Sequence, residues 1–263
     1  MDALDSLHTL FSQILIDNRK RSPKNLIKRI VADVWAIHLG LRLACLLDGV
    51  AINEKMAIKI SQGIKNILEL RNLLVIFEKA SESTFIISVE FFKEFNFNSI
   101  NFIDLSSLPP KILDSCPLAV QKAFLACREA CFSQNSEIVI VKFELPSTLI
   151  SLAGILLNYP VVYCNSSANQ IFSGQLIVIQ VNLLEVFTND NKASCFLPQE
   201  HRLMSFSFPI EFDKPSSPIE SKTLKNKLKN YFQEKLNFNK IHQKWKTVNV
   251  NLNQKIYLDR VAL

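Results

Sequence analysis

Three acids, Asp48 in LACLLDG, Asp104 in INFIDLSS and Glu144 in VIVKFELPS, each stand at the end of a short apolar run, and Cys164 with Asn165 closes a fourth. Ligands of open α/β sheets bind outside the carboxyl ends of the strands. If these runs are parallel neighbours, their carboxylates meet at one edge. Such a cluster can hold Mg²⁺, or can split its pKa values into an acid and a base. The simpler account is that acids leave strands by capping the next helix or closing an Asx turn, and no catalytic motif surrounds any of the three.

Other reactive side chains are equally two-sided. Cys164 as a nucleophile needs a base within hydrogen-bond reach, and His201 is the candidate that follows in a predicted loop. A strand-end cysteine is also an ordinary small buried apolar residue, as is the i, i+4 pair Cys127 and Cys131 on one helix face. His38, within an apolar segment, reads as a hydrogen-bonded core histidine. The five glycines are too far apart to form a phosphate-cradling loop or a dinucleotide fingerprint, and no GxSxG, HExxH or paired-cysteine metal motif occurs. The sequence therefore assigns no cofactor.

The elements that would carry these groups follow from periodicity. Leu4, Leu7, Phe11, Ile14 and Leu15 recur at helical spacing. Residues 42–48 read as a strand, and Asn53 caps a helix whose inner stripe is Ile60, Ile64, Ile67 and Leu68. Residues 73–77 and 85–89 flank a polar loop as a hairpin would, without the Asn-Gly signal that marks the tightest turns. Residues 100–105 form a strand before Pro109 and Pro110, and Val120, Phe124, Cys127 and Cys131 mark the helix after it. Residues 138–143 are the clearest strand, being β-branched and bounded by polar residues. A helix with Leu149, Leu152, Ile155 and Leu156 inside comes next, and then strands at 161–164, 176–181 and 203–208.

Strand–helix–strand order implies parallel pairing with right-handed crossovers, and strands this apolar call for cover on both faces. The expectation is one α/β domain over residues 1–263, a three-layer sandwich with a mixed, mostly parallel sheet. Residues 213–218 form a surface connection before an additional basic C-terminal helix. That helix is read with Ser217 at the N-cap, Pro218 first in the helix and Glu220 three residues after the cap. Leu224, Leu228, Tyr231, Phe232 and Leu236 line its inner face, and Lys222, Lys225, Lys227 and Lys229 its outer side.

Composition supports a packed chain: 48% of its 263 residues are hydrophobic and 21% charged, far from the composition of a disordered chain. Residues 145–184 contain no charged side chain, but Pro146, Asn158, Pro160 and NSSANQ divide the stretch into pieces shorter than the roughly 20 apolar residues of a membrane-spanning helix. The opening MDALDSLHTLF lacks a basic region and resembles an amphipathic helix rather than a secretory signal. The widely scattered cysteines point to a reducing compartment. The expected location is cytoplasm or nucleus.

The net charge of +6 is concentrated at the C-terminal end. Two basic stretches, residues 19–29 and 222–246, are the candidates for nucleic acid or an anionic surface. Neither carries a stacked aromatic platform or a groove-entering helix pattern, so solvated faces are the favoured account.

The order DVW at Asp33, ACLLDG at Ala44, FIDLS at Phe102, KFELPSTLISLAGILLNYPVVYC at Lys142, SFSFP at Ser205 and a terminal VAL resembles uncharacterised protein family 0739, a eukaryotic domain of unknown function. The resemblance implies an intracellular single domain and brings no activity, cofactor or catalytic residue with it. Two readings of function follow. The first is a binding or protein-interaction domain whose contact surface is the basic C-terminal helix. The second is an enzyme built on Asp48, Asp104 and Glu144, or a pseudo-enzyme that kept the sheet and lost its loop chemistry.

Overall fold

The computed structural model describes residues 2–16, 24–107, 109–133, 138–142, 146–164, 174–185, 196–238 and 244–257. The chain divides into two compact units, interleaved along the sequence: residues 1–95, 123–143 and 188–198 form the first, and residues 96–122, 144–187 and 199–263 the second.

In the first unit, helix α1 (Ala3–Ile16) and helix α2 (Lys24–His38) precede strand β1 (Ala44–Leu46), helix α3 (Glu54–Asn66), strands β2 (Leu73–Glu78) and β3 (Ser83–Ser88) and the short helix α4 (Val89–Glu94). The predicted stripe of α1 is buried throughout, with Leu7 and Phe11 fully enclosed. Asn53 caps α3 by accepting from the Met56 amide at 3.0 Å, and Ile60 and Ile64 are buried as expected. Residues 33–38 belong to α2, whose buried Ile27, Ile30, Val31, Val34 and Ile37 follow the helical period.

β2 and β3 form the antiparallel hairpin, and Glu78 at the end of β2 supplies the turn signal that the loop lacked. Glu78 is 1% exposed, and its carboxylate accepts from the amides of Ala80 at 3.1 Å and Ser81 at 2.7 Å and from the Ser81 hydroxyl at 2.6 Å. Three donors converging on one carboxylate close the turn.

The second unit continues with β4 (Asn101–Asp104) and β5 (Lys111–Leu113), so the prolines at 109 and 110 interrupt a hairpin rather than end a sheet. Helix α5 (Leu118–Ser133) runs from this unit into the first, where it buries Phe124, Cys127 and Cys131. It leads to β6 (Val139–Val141), which pairs in parallel with β2. The first unit's sheet thus has the order β1-β3-β2-β6. Helix α6 (Pro146–Leu156) then returns to the second unit, where β7 (Val161–Cys164) pairs in parallel with β4. At Gly154 the helix backbone lies so close to β7 that an added Cβ would sit 3.1 Å from the Val162 side chain.

β8 (Gln175–Glu185), β9 (Glu200–Pro209), helix α7 (Ser221–Phe238) and β10 (Trp245–Tyr257) complete the second unit. β8 is the central strand of an antiparallel sheet in the order β10-β8-β9, with α7 packed on β10 and β8. The residues of β8 alternate in pointing to the two faces, yet 176–179 and 181–183 are all buried. The described parts of the charge-free stretch, residues 146–164 and 174–184, thus form a helix and strands with largely buried residues.

The protein is α/β, but its parallel pairing is confined to β2–β6 and β4–β7; every other ladder among the described residues is antiparallel. One mostly parallel sheet was expected because a helix between two strands forces a parallel crossover when both strands join the same sheet. Here α5 and α6 each connect strands of different sheets. Three smaller mixed or antiparallel sheets take the place of one.

Helix α7 also begins later than its capping box suggested. Ser217 accepts from the Ile219 amide at 3.4 Å and organises a turn, while the helix proper starts at Ser221. Asp213 is the cap: its carboxylate accepts from the Ser221 amide at 2.7 Å and from the Ser221 hydroxyl at 3.0 Å.

Candidate functional site

The two acids of the predicted cluster that fall on described residues belong to different units. Asp48 follows β1 in the first unit, where its carboxylate pairs with the Arg29 guanidinium, which also donates to the Asp48 carbonyl at 3.0 Å. Asp104 ends β4 in the second. Glu144 lies outside the described residues. Asp104 closes an Asx turn, accepting from the Ser106 amide at 2.7 Å and from the Ser106 hydroxyl. Asp104 thus makes the Asx turn that the simpler account assigned to it, whereas Asp48 is held by an ion pair that this account did not name.

One part of the expected edge does assemble. β4 and β7 are parallel and in register, with Asp104 opposite Cys164, and the Leu105 amide continues the ladder by donating to the Cys164 carbonyl at 3.1 Å. Ser151 on α6 lies behind this edge, its hydroxyl donating to the Tyr163 carbonyl at 2.8 Å. Burial pushes the Cys164 thiol up to about 11; a hydrogen bond with Ser151 opposes the rise and the Asp104 charge adds to it. Cys116 is pushed up to about 12, chiefly by burial, with a smaller contribution from Cys164. Two protonated, buried thiols are poor nucleophiles.

His201 does not serve Cys164 as a base. The Tyr163 hydroxyl donates to the Ser207 carbonyl at 2.7 Å, which places β7 beside that part of β9. His201 is six residues away along the strand, about 20 Å at the usual rise. Its ring is stacked on Trp245 with centroids 5.3 Å apart. His38 packs on Trp35, and burial lowers its pKa while Glu69 works the other way. Among the described residues, no group of three or more His, Cys, Asp or Glu side chains converges as a metal-ligating set, and no helix is long and apolar enough to cross a membrane.

The more distinctive surface is α7 with the edge of β10. Leu224, Phe232 and Leu236 are buried and Leu228 is half-buried. Tyr231, expected on this inner stripe, is 42% exposed, and the Lys235 ammonium stands 4.9 Å above its ring. Phe238 at the helix end is 91% exposed. Lys222, Lys227 and Lys229 are exposed and Lys225 is half-buried; among the described residues none of the four forms an ion pair. The helix is nevertheless firmly seated. The Gln233 side-chain amide donates to the Lys246 carbonyl and accepts from the Val248 amide, both at 3.1 Å.

Sequence reasoning overlooked β10. The alternation Val248-Asn-Val-Asn-Leu-Asn253 carries the period-2 signal of a half-exposed strand, and the structure buries Val248 and Val250 while exposing Asn249 and Asn253.

The fold and site define an α/β protein of two units with a lysine-rich helix packed on an antiparallel sheet. Residues 12–263 match the family model described as a domain of unknown function, DUF4504, and the chain belongs to that family. This is an uncharacterised family covering nearly the whole chain, as the sequence resemblance implied. No curated protein and no solved structure matches the chain.

Proposed function

We propose that the protein is a binding module of the cytoplasm or nucleus that engages a protein partner through the outer surface of α7. The observation that carries this reading is the set of lysines at 222, 225, 227 and 229, held without ion-pair partners among the described residues on a helix anchored by a buried stripe and a side-chain amide. Surface lysines in mixed-charge proteins commonly sit near acids, and a same-sign row left unneutralised favours an acidic contact and speeds its approach. The enzyme reading on Asp48, Asp104 and Glu144 draws less support, because Asp48 and Asp104 are both engaged in local structure. Nucleic acid remains the less favoured partner.

The test is a titration of the whole protein with polyglutamate, RNA, DNA and anionic vesicles at low and moderate salt, monitored by NMR. Salt-sensitive binding of polyglutamate that perturbs the resonances of α7 is the expected result. No salt-sensitive binding to any probe, or binding that leaves α7 unperturbed, overturns the proposal.

A further inference from the structure

We infer that the free edge of β10 accepts, by strand addition, an extended acidic segment of a partner protein, with Lys222 and Lys229 of α7 flanking it. The inference rests on the α7 reading above and specifies how the partner is held. β10 is the outermost strand of its sheet, paired only with β8 among the described residues. In an antiparallel ladder alternate residues direct both N–H and C=O away from their partner. Val248 is one of these, since its N–H meets Gln233. Val250 and Leu252 share its parity before the irregularity at residues 254–256, so their backbone groups also point outward. No described residue bonds to them.

Gln233 shows how this edge is satisfied where it is covered. By donating to Lys246 and accepting from Val248, its amide makes the two bonds that one residue of a parallel strand would make there. Beyond Val248 no described residue bonds to the outward backbone groups of Val250 and Leu252. An unpaired run of N–H and C=O groups is a template for another backbone.

The chemistry of the occupant follows from what overhangs the edge. Lys222, Asn226 and Lys229 share the helix face of Gln233, at i, i+4, i+7 and i+11, and all three are exposed. Six residues separate the end of α7 from the start of β10, so the strand doubles back along the helix. Lys229 and Lys222 lie about 6 and about 16 Å from Gln233 along the helix axis, and Val250 and Leu252 about 7 and about 13 Å beyond Val248 along the strand, so the two rows extend over similar lengths from the Gln233 contact. An added strand would therefore run past two ammonium groups. A second copy of this chain would bring its own Lys222 and Lys229 against them, and like charges disfavour that pairing. Nucleic acid has no peptide N–H to donate to the edge carbonyls. A peptide with Asp or Glu at alternate positions satisfies both the backbone and the lysines.

The experiment uses the full chain and a short fluorescent peptide alternating Glu with Val or Thr. Its companion probes carry the same sequence with N-methyl groups on one or the other set of alternate amides. We expect the parent peptide to bind with an affinity that falls as salt rises, K222E/K229E to weaken it at least about tenfold, and one N-methylated probe to lose binding. Leu252→Pro, which removes an outward N–H, should weaken it as well; the N-methylated probes keep the test valid if that variant fails to fold. If both N-methylated probes bind like the parent, strand addition is overturned while the basic-helix reading stands. If the parent peptide does not bind, or binds K222E/K229E equally well, both readings fall. Self-association that Leu252→Pro abolishes would replace the acidic partner with a second copy.

Discussion

Asp213 holds the first turn of α7 from eight residues upstream, bonding both the backbone amide and the hydroxyl of Ser221. A carboxylate at a helix N-terminus satisfies an otherwise orphaned donor and faces the positive end of the helix dipole. Asp213→Ala should cost about 1 to 2 kcal/mol of stability, read by urea denaturation. Ser217→Ala should cost clearly less, because Ser217 caps only the preceding turn. Equal losses at the two positions would contradict the assignment.

Glu78 does for the β2–β3 hairpin what an Asn-Gly turn does elsewhere. Its buried carboxylate is tied to Ala80 and Ser81, so Glu78→Ala removes the acceptor of three donors. The expected loss is about 2 to 4 kcal/mol, since bonds to a charged acceptor are each worth about 1.5 to 3 kcal/mol and part of the loss is recovered from water. A thermal melt of the variant checks this; a change of a few tenths of a kcal/mol would show that the turn holds without it.

The sequence displayed most elements wherever one residue's periodicity sufficed. The stripe of α1, the strand ending at Asp104 and the helix ahead of β7 are where spacing put them, and so are Ile60 and Ile64 of α3; that helix ends at Asn66, so Leu68, expected on its inner face, is 67% exposed. Pairing was harder to read, because whether β6 and β7 join one sheet depends on contacts between segments far apart in the chain. For the same reason Asp48 and Asp104 resemble each other locally yet belong to different units. Asp104 and Cys164 do come into register. Tyr231 was misjudged because an aromatic ring at the border of a helical stripe can pack inward or cover a neighbouring lysine stem, and here Lys235 lies over it. The Gln233 contact involves a side chain reaching a strand edge, for which no local pattern exists.

Lys244 and Glu185 form a nearly enclosed ion pair at 3.4 Å, with side-chain exposures of 6% and 8%. Removing one charge takes an opposite partner from the other in a poorly solvated site, and breaking a buried pair in this way costs about 3 to 5 kcal/mol. Glu185→Leu and Lys244→Leu should each destabilise the second unit by about that amount, and the double variant should recover much of it. A double-mutant cycle by chemical denaturation measures the coupling; strictly additive losses would show that the two side chains do not depend on each other.

The buried thiols set a direction for alkaline stability. Cys164 and Cys116 have an ordinary pKa of 9.0 and are pushed up to about 11 and about 12 in the fold. A thiol whose folded pKa is raised keeps its proton longer in the native state than in the unfolded chain, so between these values the unfolded chain binds fewer protons. Stability is therefore fully present below about pH 9 and falls as pH rises toward 11 to 12. Cys164→Ser and Cys116→Ser should each flatten that decline relative to the parent, measured by urea midpoints across the interval. The same protonation predicts slow alkylation: near neutral pH, iodoacetamide should label these positions in denatured chains far faster than in native ones, because the thiolate is the reacting species. Rapid native labelling at Cys164, detected by peptide mass spectrometry, would instead mean an accessible thiolate at the β4–β7 edge and would restore the case for chemistry there.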